Sequence, residues 1–369
     1  MTRPRVQPRV WLLVGDKHGD NAQVDAIGEA LAWDCERKRV QVHEPFDVEK
    51  PPVSASLHHI DLARSDPLEP PWPDLIVTIG RRPSMVALWV REQSGGRARI
   101  ALIGKPSGPA EAFDLVIVSG ETEIAPLPNV CKITLPLMRA NEDAIAAAVE
   151  SWQGRLAALP RPLIAVLVGG PTGPFIFNER VVDRVVEVAT ELTADTGGTP
   201  YVTTSRRTPD TIVAGLKAKL PSSSPFFEWT PGTTENPYLA LLGLADGFVV
   251  TGDSISMLVE VIRLRKPVAI LKLPFGRMGA LDQLRRSLAR RLFASGMASA
   301  PGAFRQRLVN VVYRSGIVTQ TRDFAAFHRL LIERGLAVRA GDKLEAPRGR
   351  VPDDMPLAVA RITALMENG

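Results

Sequence analysis

The stretch "GDKHGDNAQ" (15–23) packs Asp16, Lys17, His18 and Asp20 into one turn directly after the apolar run "VWLLVG" (10–15). Two carboxylates and an imidazole at a strand end can supply a general base, and His18 has the side chain that ordinarily titrates near neutrality. The same turn precedes a helical pattern, so Asp20 or Asn21 can instead cap that helix. Paired arginines follow two other runs: Arg81 and Arg82 in "GRRPS" (80–84), and Arg206 and Arg207 in "TTSRRTP" (203–209). A guanidinium stays charged and its fork matches phosphate geometry. Either pair can therefore grip a diphosphate or an anionic acceptor, with Ser205 and Thr208 adding hydroxyls.

Three further turns have the right chemistry for a ligand. "VGGPTGPF" (168–175) offers Gly169 and Gly170, small enough to let a ligand approach backbone amides. In "TPGTTENPY" (230–238), Thr233 or Thr234 can cap the next helix, while Glu235 and Asn236 stand where a sugar or base would reach. "VVTGDSISMLVEVIRLRKPVAIL" (249–271) reads as strand, polar turn, helix, strand. The amides at such a helix start suit an anion, and Asp253 or Ser254 can equally cap it. G-x-G-x-x-G, the P-loop, H-E-x-x-H and G-x-S-x-G are all absent, so dinucleotide and P-loop chemistry lack their motifs. His43, His58-His59 and His328 read as structural histidines, "FGRMG" (275–279) as an ordinary loop, and no metal site is expected.

Parallel sheets with crossover helices are what would position these turns, because short β-branched runs alternate with helical periodicity. The strands expected in the first half are 10–15, 39–43, 74–80, 99–104 and 114–120, with helices from about 21 and over 83–91 and 141–158. The second half repeats the rhythm with strands at 163–170, 201–205, 226–229, 246–252 and 267–273, the last closing the sheet. Its helices are expected near 178–194, 209–219 and 236–244. "LPRP" (159–162) reads as the boundary between a domain of residues 1–158 and one of 159–355, with a final helix (356–369) packing back on the first. Ligands bind beyond the carboxyl ends of such strands, and most strand ends here carry glycine. The expected fold class is α/β, two facing Rossmann-like domains with a cleft between them.

The bulk composition narrows the classes. Hydrophobic residues make up 45% of 369, charged residues 23%, and the net charge is +5, a globular balance that speaks against a dedicated nucleic-acid binder. Cys35 and Cys131 are the only cysteines, which favours a reducing compartment and a cytoplasmic location. Arg3, Arg5 and Arg9 precede an apolar run shorter than the roughly 7–15 residues of a signal peptide, and no run nears the roughly 18 that cross a bilayer. At most a peripheral membrane contact is expected.

Taken together, "VGDKHGDNAQ", "TIGRRPS", "VLVGGPTGPF", "TTSRRTP", "ENPYLALLGLADGFVVTGDSISMLVEV" and "KPVAIL" resemble the bacterial branch of the mitochondrial fission factor family named for elongated mitochondria. That family is similar to the GT-B glycosyltransferases, which bind a nucleotide-sugar donor in the C-terminal domain. The resemblance implies that Gly252, Asp253, Ser254 and Ser256 lie near the donor diphosphate, and Glu260 near its ribose or sugar. "GDKHGD" also resembles the N-terminal loop of lipid-A-disaccharide synthase and of the transferase that completes lipid II, where it borders the acceptor. Asp253 departs from the small residue of many relatives, and Val261 from a frequent Ala.

The implied activity is sugar transfer from a nucleoside diphosphate sugar, as co-substrate, to an envelope or lipid-linked acceptor. Asp16, His18 or Asp20 would be the base. Gly169, Gly170, Ser205, Arg206, Arg207, Glu235 and Asn236 would face the donor, with Lys17, Arg81 and Arg82 on the acceptor side. A nucleotide-sugar epimerase is the enzymatic alternative. Plant members act as adaptors that recruit a dynamin-type protein, so a non-catalytic binding protein is the other.

Overall fold

The computed structural model describes residues 7–276 and 321–367, which form two units. The first comprises 7–139, 321–323 and 352–367; the second comprises 140–276 and 324–351. Arg3 and Arg5, and residues 277–279 of "FGRMG", lie outside the described residues.

In the first unit, β1 (Val10–Val14), β3 (Leu75–Ile79), β4 (Arg99–Ile103) and β5 (Leu115–Val118) are apolar apart from Thr78 and Arg99 and buried almost without break. Continuous apolar runs of this kind belong to strands covered on both faces. With β2 (Cys35–Arg39) and β7 (Val130–Lys132) they form a parallel sheet in the order β2-β1-β3-β4-β5-β7. Alternate residues of β1 enter opposite cores. Leu12 packs with Val24 and Ile27 of α1 (His18–Ala30) and with Ala358 and Ile362 of the C-terminal helix α10 (Met355–Glu367). Leu13 packs with Val86 and Val90 of α3 (Arg81–Gln93). A four-residue helix α2 (Pro45–Val48) follows β2, and β6 (Thr122–Glu123) pairs antiparallel with β13 (Thr321–Arg322).

The second strand is not the expected 39–43. Pairing runs through "CERKR", with Val10 opposite Cys35, and Val42 makes only an isolated bridge to Ile60. β2 is an edge strand, so most of its side chains face solvent and carry charge.

The second unit repeats the plan with β8 (Leu163–Val168), β9 (Thr199–Thr204), β10 (Phe226–Phe227), β11 (Gly247–Thr251), β12 (Val268–Leu271) and β14 (Val338–Arg339). Their order is β10-β9-β8-β11-β12-β14, all parallel. The sheet is therefore closed by β14 and not by the 267–273 strand. Its helices are α4 (Glu142–Ala157), α5 (Glu179–Thr196), α6 (Asp210–Lys219), α7 (Tyr238–Leu244), α8 (Ile255–Arg263) and α9 (Phe324–Glu333). The α4 helix packs on α7, and Gly243 makes this possible, since a Cβ there would come within 2.3 Å of Val149. The alternation of strand and helix thus yields the parallel α/β sheets it implies.

Candidate functional site

Each sheet reverses its strand order beside its first strand. β1 is followed by β2 on one side and β3 on the other; β8 is followed by β9 on one side and β11 on the other. At such a reversal the connections leave in opposite directions and open a crevice beyond the strand ends. Both groups of candidate residues sit at these two places.

In the first unit the loops 15–21 and 80–83 line a cavity of about 200 Å³, together with Val40, Val42, Lys50 and Ile79. Asn21 closes the first loop, its side chain accepting from the Gly15 amide (3.2 Å) and donating to the Gly15 carbonyl (2.8 Å). It is therefore not the cap of α1; Lys17 holds that position and makes no side-chain bond there. Asp20 lies 4.0 Å from Lys17, and Asp16 lies 4.0 Å from Arg39. His18 is the first residue of α1, and its side chain lies outside the described part of the structure.

Gly80, at φ +81°, turns the chain into α3, and a Cβ on it would lie 3.7 Å from the Asp20 carboxylate. Arg81 and Arg82 follow in the first turn. The Nε of each is buried without a hydrogen-bond partner among the described residues, while Arg82 Nη2 donates to the Glu49 carbonyl (3.1 Å). The Lys17 ammonium is held below its usual pKa, first by desolvation and then by Arg82, Arg322 and Lys50, against the pull of Asp20. Because 62% of this side chain stays exposed, screening leaves the desolvation push small.

In the second unit the turns after β8, β9 and β11 are knitted to one another. The Gly169 amide donates to Thr251 Oγ1 (2.8 Å), and the Gly170 amide donates to Asp253 Oδ2 (2.9 Å). Arg207 Nη2 also reaches Asp253 Oδ2 (3.2 Å), and its Nη1 donates to Thr172. Thr208 Oγ1 donates to the Gly169 carbonyl (2.6 Å) and accepts from the Ser205 amide (2.9 Å). The Asp253 side chain has no exposed surface, and its Oδ1 has no partner among the described residues. Burial raises its carboxyl pKa, opposed by the Gly170 amide, Thr251 and Arg207.

Several expectations change here. Gly169 and Gly170 do not present open space: a Cβ on Gly169 would meet Asp253 Oδ2 at 2.2 Å, and one on Gly170 the Arg207 carbonyl at 2.2 Å. Their missing side chains admit protein atoms. Asp253 turns back toward β8 instead of capping α8, and the Ser254 side chain, at the cap position, makes no capping bond. Neither Thr233 nor Thr234 caps α7, whose cap position is Pro237; the Asn236 side chain accepts from the Tyr238 amide (2.9 Å).

Other candidates stand apart from this knot. Arg206 and Ser256 are exposed. Glu235 is exposed and pairs with Arg155 (2.8 Å). Glu260 accepts from the Tyr238 hydroxyl; burial raises its pKa, and the tyrosine opposes the rise.

One participant is not legible in the sequence. His328, on α9, packs against Gly252, where a Cβ would come within 2.7 Å of its ring. Its Nε2 is buried without a partner among the described residues, and burial lowers its pKa to about 4. No local motif marks it, because it reaches the β11 turn only through the fold. Among the described residues no group of His, Cys, Asp and Glu is placed to hold a metal, and no helix is long and apolar enough to cross a membrane.

Residues 18–299 match the family described as Mitochondrial fission ELM1. The chain belongs to that family. It is 24% identical to the mitochondrial fission protein ELM1 of Arabidopsis thaliana over 58% of its own length and 54% of that protein's, so the match spans about half of this relative. Identity is 22% to an uncharacterized protein of Rickettsia prowazekii, over 72% of this chain and 83% of that one. Two solved structures align with nearly all of the ELM1-family chain. They are the UDP-GlcNAc 2-epimerase of Neisseria meningitidis bound to UDP-GlcNAc (13% identity, 98% of this chain and 100% of that one, TM-score 0.47) and MurG of Acinetobacter baumannii (12%, 98% and 100%, 0.41).

Proposed function

We propose that this chain is a GT-B-type glycosyltransferase that moves a sugar from a nucleoside diphosphate sugar to an envelope or lipid-linked acceptor. One observation supports this reading above the others. The first-unit cavity gathers two carboxylates, Asp16 and Asp20, beside Lys17, Lys50, Arg81 and Arg82 at the end of the central strands. A base next to fixed positive charge is what deprotonation of an anionic acceptor's hydroxyl requires.

In this reading Asp16, Asp20 or His18 takes the proton and Lys17, Arg81 and Arg82 orient the acceptor. The donor binds the second unit. Gly252, Ser254, Ser256 and the first amides of α8, with Arg206, stabilise the leaving diphosphate, while the buried Asp253 ties the neighbouring turns together through the Gly170 amide and Arg207. A lipid-linked acceptor would bring the protein to a membrane surface from the cytoplasmic side.

The test is calorimetric titration with UDP-, GDP-, ADP-, CMP- and dTDP-sugars, followed by product analysis. Binding of one nucleotide series with donor consumption only when acceptor extract is present is the expected result. Conversion of the bound sugar without acceptor would mean an epimerase instead. A second reading has its own support. Gly170, Arg207, Thr208 and Asp253 satisfy one another, which is what a binding or adaptor protein without turnover would retain. Absence of binding by every nucleotide in a folded sample would favour that reading.

A further inference from the structure

The two strand-order reversals differ in charge. In the second unit the nearest fixed cation, Arg207, and the Gly170 amide are both engaged by Asp253, whose side chain is fully buried. A phosphate placed against Arg207 and the Gly170 amide would have to compete with the carboxylate that already holds them, so a diphosphate bound in this unit draws on Arg206 and the first amides of α8 instead. In the first unit the cavity is lined by four cations, Lys17, Lys50, Arg81 and Arg82, against two carboxylates, Asp16 and Asp20, leaving two positive charges in excess.

That excess brings no evident benefit to the fold. Cations in the first turn of a helix oppose its dipole, and α3, thirteen residues long, begins with two and has no side-chain cap. The Nε of both arginines is buried without an acceptor among the described residues. The Lys17 pKa is lowered first by desolvation, with Arg82 and Lys50 adding to that and Asp20 opposing it. An anion would both pair with these donors and offset the converging like charge, where a water would satisfy only the donors. The size of the cavity, about 200 Å³, falls below the roughly 300–1,000 Å³ of sites that enclose whole drug-sized ligands. It suits a head group.

We propose that the cavity at the ends of β1 and β3 binds a dianionic phosphate or diphosphate group, gripped by Arg81, Arg82, Lys17 and Lys50. Within the transferase reading, on which only this clause rests, the acceptor is then a phosphorylated or diphosphate-linked molecule. Asp16 and Asp20 stand beside the head group, where the hydroxyl to be glycosylated would come.

The probes are inorganic pyrophosphate and farnesyl diphosphate, titrated calorimetrically into the full chain at low salt. Variants are Arg82→Gln, Lys17→Gln and, as control, Arg207→Gln, each first checked for an unchanged melting temperature. Pyrophosphate should bind the wild type and Arg207→Gln alike. Loss of either first-unit cation should weaken it about tenfold, the order expected of one charge-assisted contact. Should Arg82→Gln prove unstable, Arg81→Gln and Lys17→Gln carry the comparison. Farnesyl diphosphate binding more tightly than pyrophosphate through the same residues would support the site and name a lipid-linked source; equal affinity would support it with a soluble one.

Failure of the wild type to bind either probe, or binding that survives Arg82→Gln and Lys17→Gln but is lost in Arg207→Gln, overturns the assignment. If nucleotide sugars bind in that case, the transferase reading stands without it. If pyrophosphate binds as described and no nucleotide sugar does, the phosphate site stands and the transferase reading falls.

Discussion

The buried carboxylate of Asp253 lies against the bare α-carbon of Gly169, so close that a Cβ on that glycine would be 2.2 Å from Oδ2 and 2.6 Å from Oδ1. The glycine therefore seats an internal acid. Gly169→Ala must push the carboxylate away from the Gly170 amide and from Arg207, in a core with no slack. Overpacking of this kind costs about 1–3 kcal/mol. Guanidinium unfolding should register that loss with an unchanged slope; a loss below about 0.5 kcal/mol would mean that Asp253 moves freely.

Tyr238→Phe removes the hydroxyl that Glu260 accepts from, leaving a largely buried carboxylate without its donor. Stranding such a group costs about 1–3 kcal/mol. The folded-state pKa of Glu260 is raised, so its unfavourable contribution is present at neutral pH and is relieved as pH falls through that value. The deficit of Tyr238→Phe should accordingly shrink in acid. A variant of wild-type stability that instead loses nucleotide-sugar binding would reassign Glu260 to the ligand.

His328 supplies a pH dependence of the opposite sign. Its pKa is lowered to about 4 from an ordinary value of 6.5, chiefly by burial and against a hydrogen bond to the Gly252 backbone. The unfolded chain takes up this proton first, so the neutral ring's contribution is full above about pH 6.5 and lost as pH falls toward 4. Between pH 7 and 5 the stability of the wild type relative to His328→Gln should drop by about 1–2 kcal/mol. Parallel curves for the two proteins would show that the ring is not held neutral.

Glu235→Ala tests a residue that the sequence pointed to and the fold leaves on the surface. Its partner Arg155 is also exposed, and such pairs contribute little. Melting should be unaltered. If calorimetry with the nucleotide sugar that the wild type binds is also unaltered, Glu235 has no donor role; a selective loss of affinity would give it one.

The contrast between Glu235 and His328 marks how far the sequence reaches. Runs such as "VWLLV" and "GFVVT" announce central strands, because a strand buried on both faces is apolar at nearly every position. "CERKR" conceals an edge strand, and two-residue β14 is shorter than any periodicity can register. Strand-end turns were legible as places where polar residues gather, since a parallel sheet sends every loop of one kind to one edge. Partners were not. That Asp253 faces Gly170 and not its own helix, or that His328 reaches Gly252, depends on which strands are neighbours, and local sequence does not encode that order.

Catalysis by the first-unit loop would make the sharpest distinction between Asp16 and Asp20. Asp20 sits 4.0 Å from Lys17, on the side of the cavity that faces Gly80; Asp16 sits 4.0 Å from Arg39 on the edge strand. Each is converted to Asn, which keeps the shape and removes the base. The true base should lose about 10²–10⁴ in kcat, with donor affinity by calorimetry unchanged because the donor is assigned to the other unit. The other variant should keep most of its rate. Full activity in both variants would leave His18 as the remaining candidate, and His18→Gln would then have to carry the whole loss. Retention of turnover by all three would remove this loop from the chemistry.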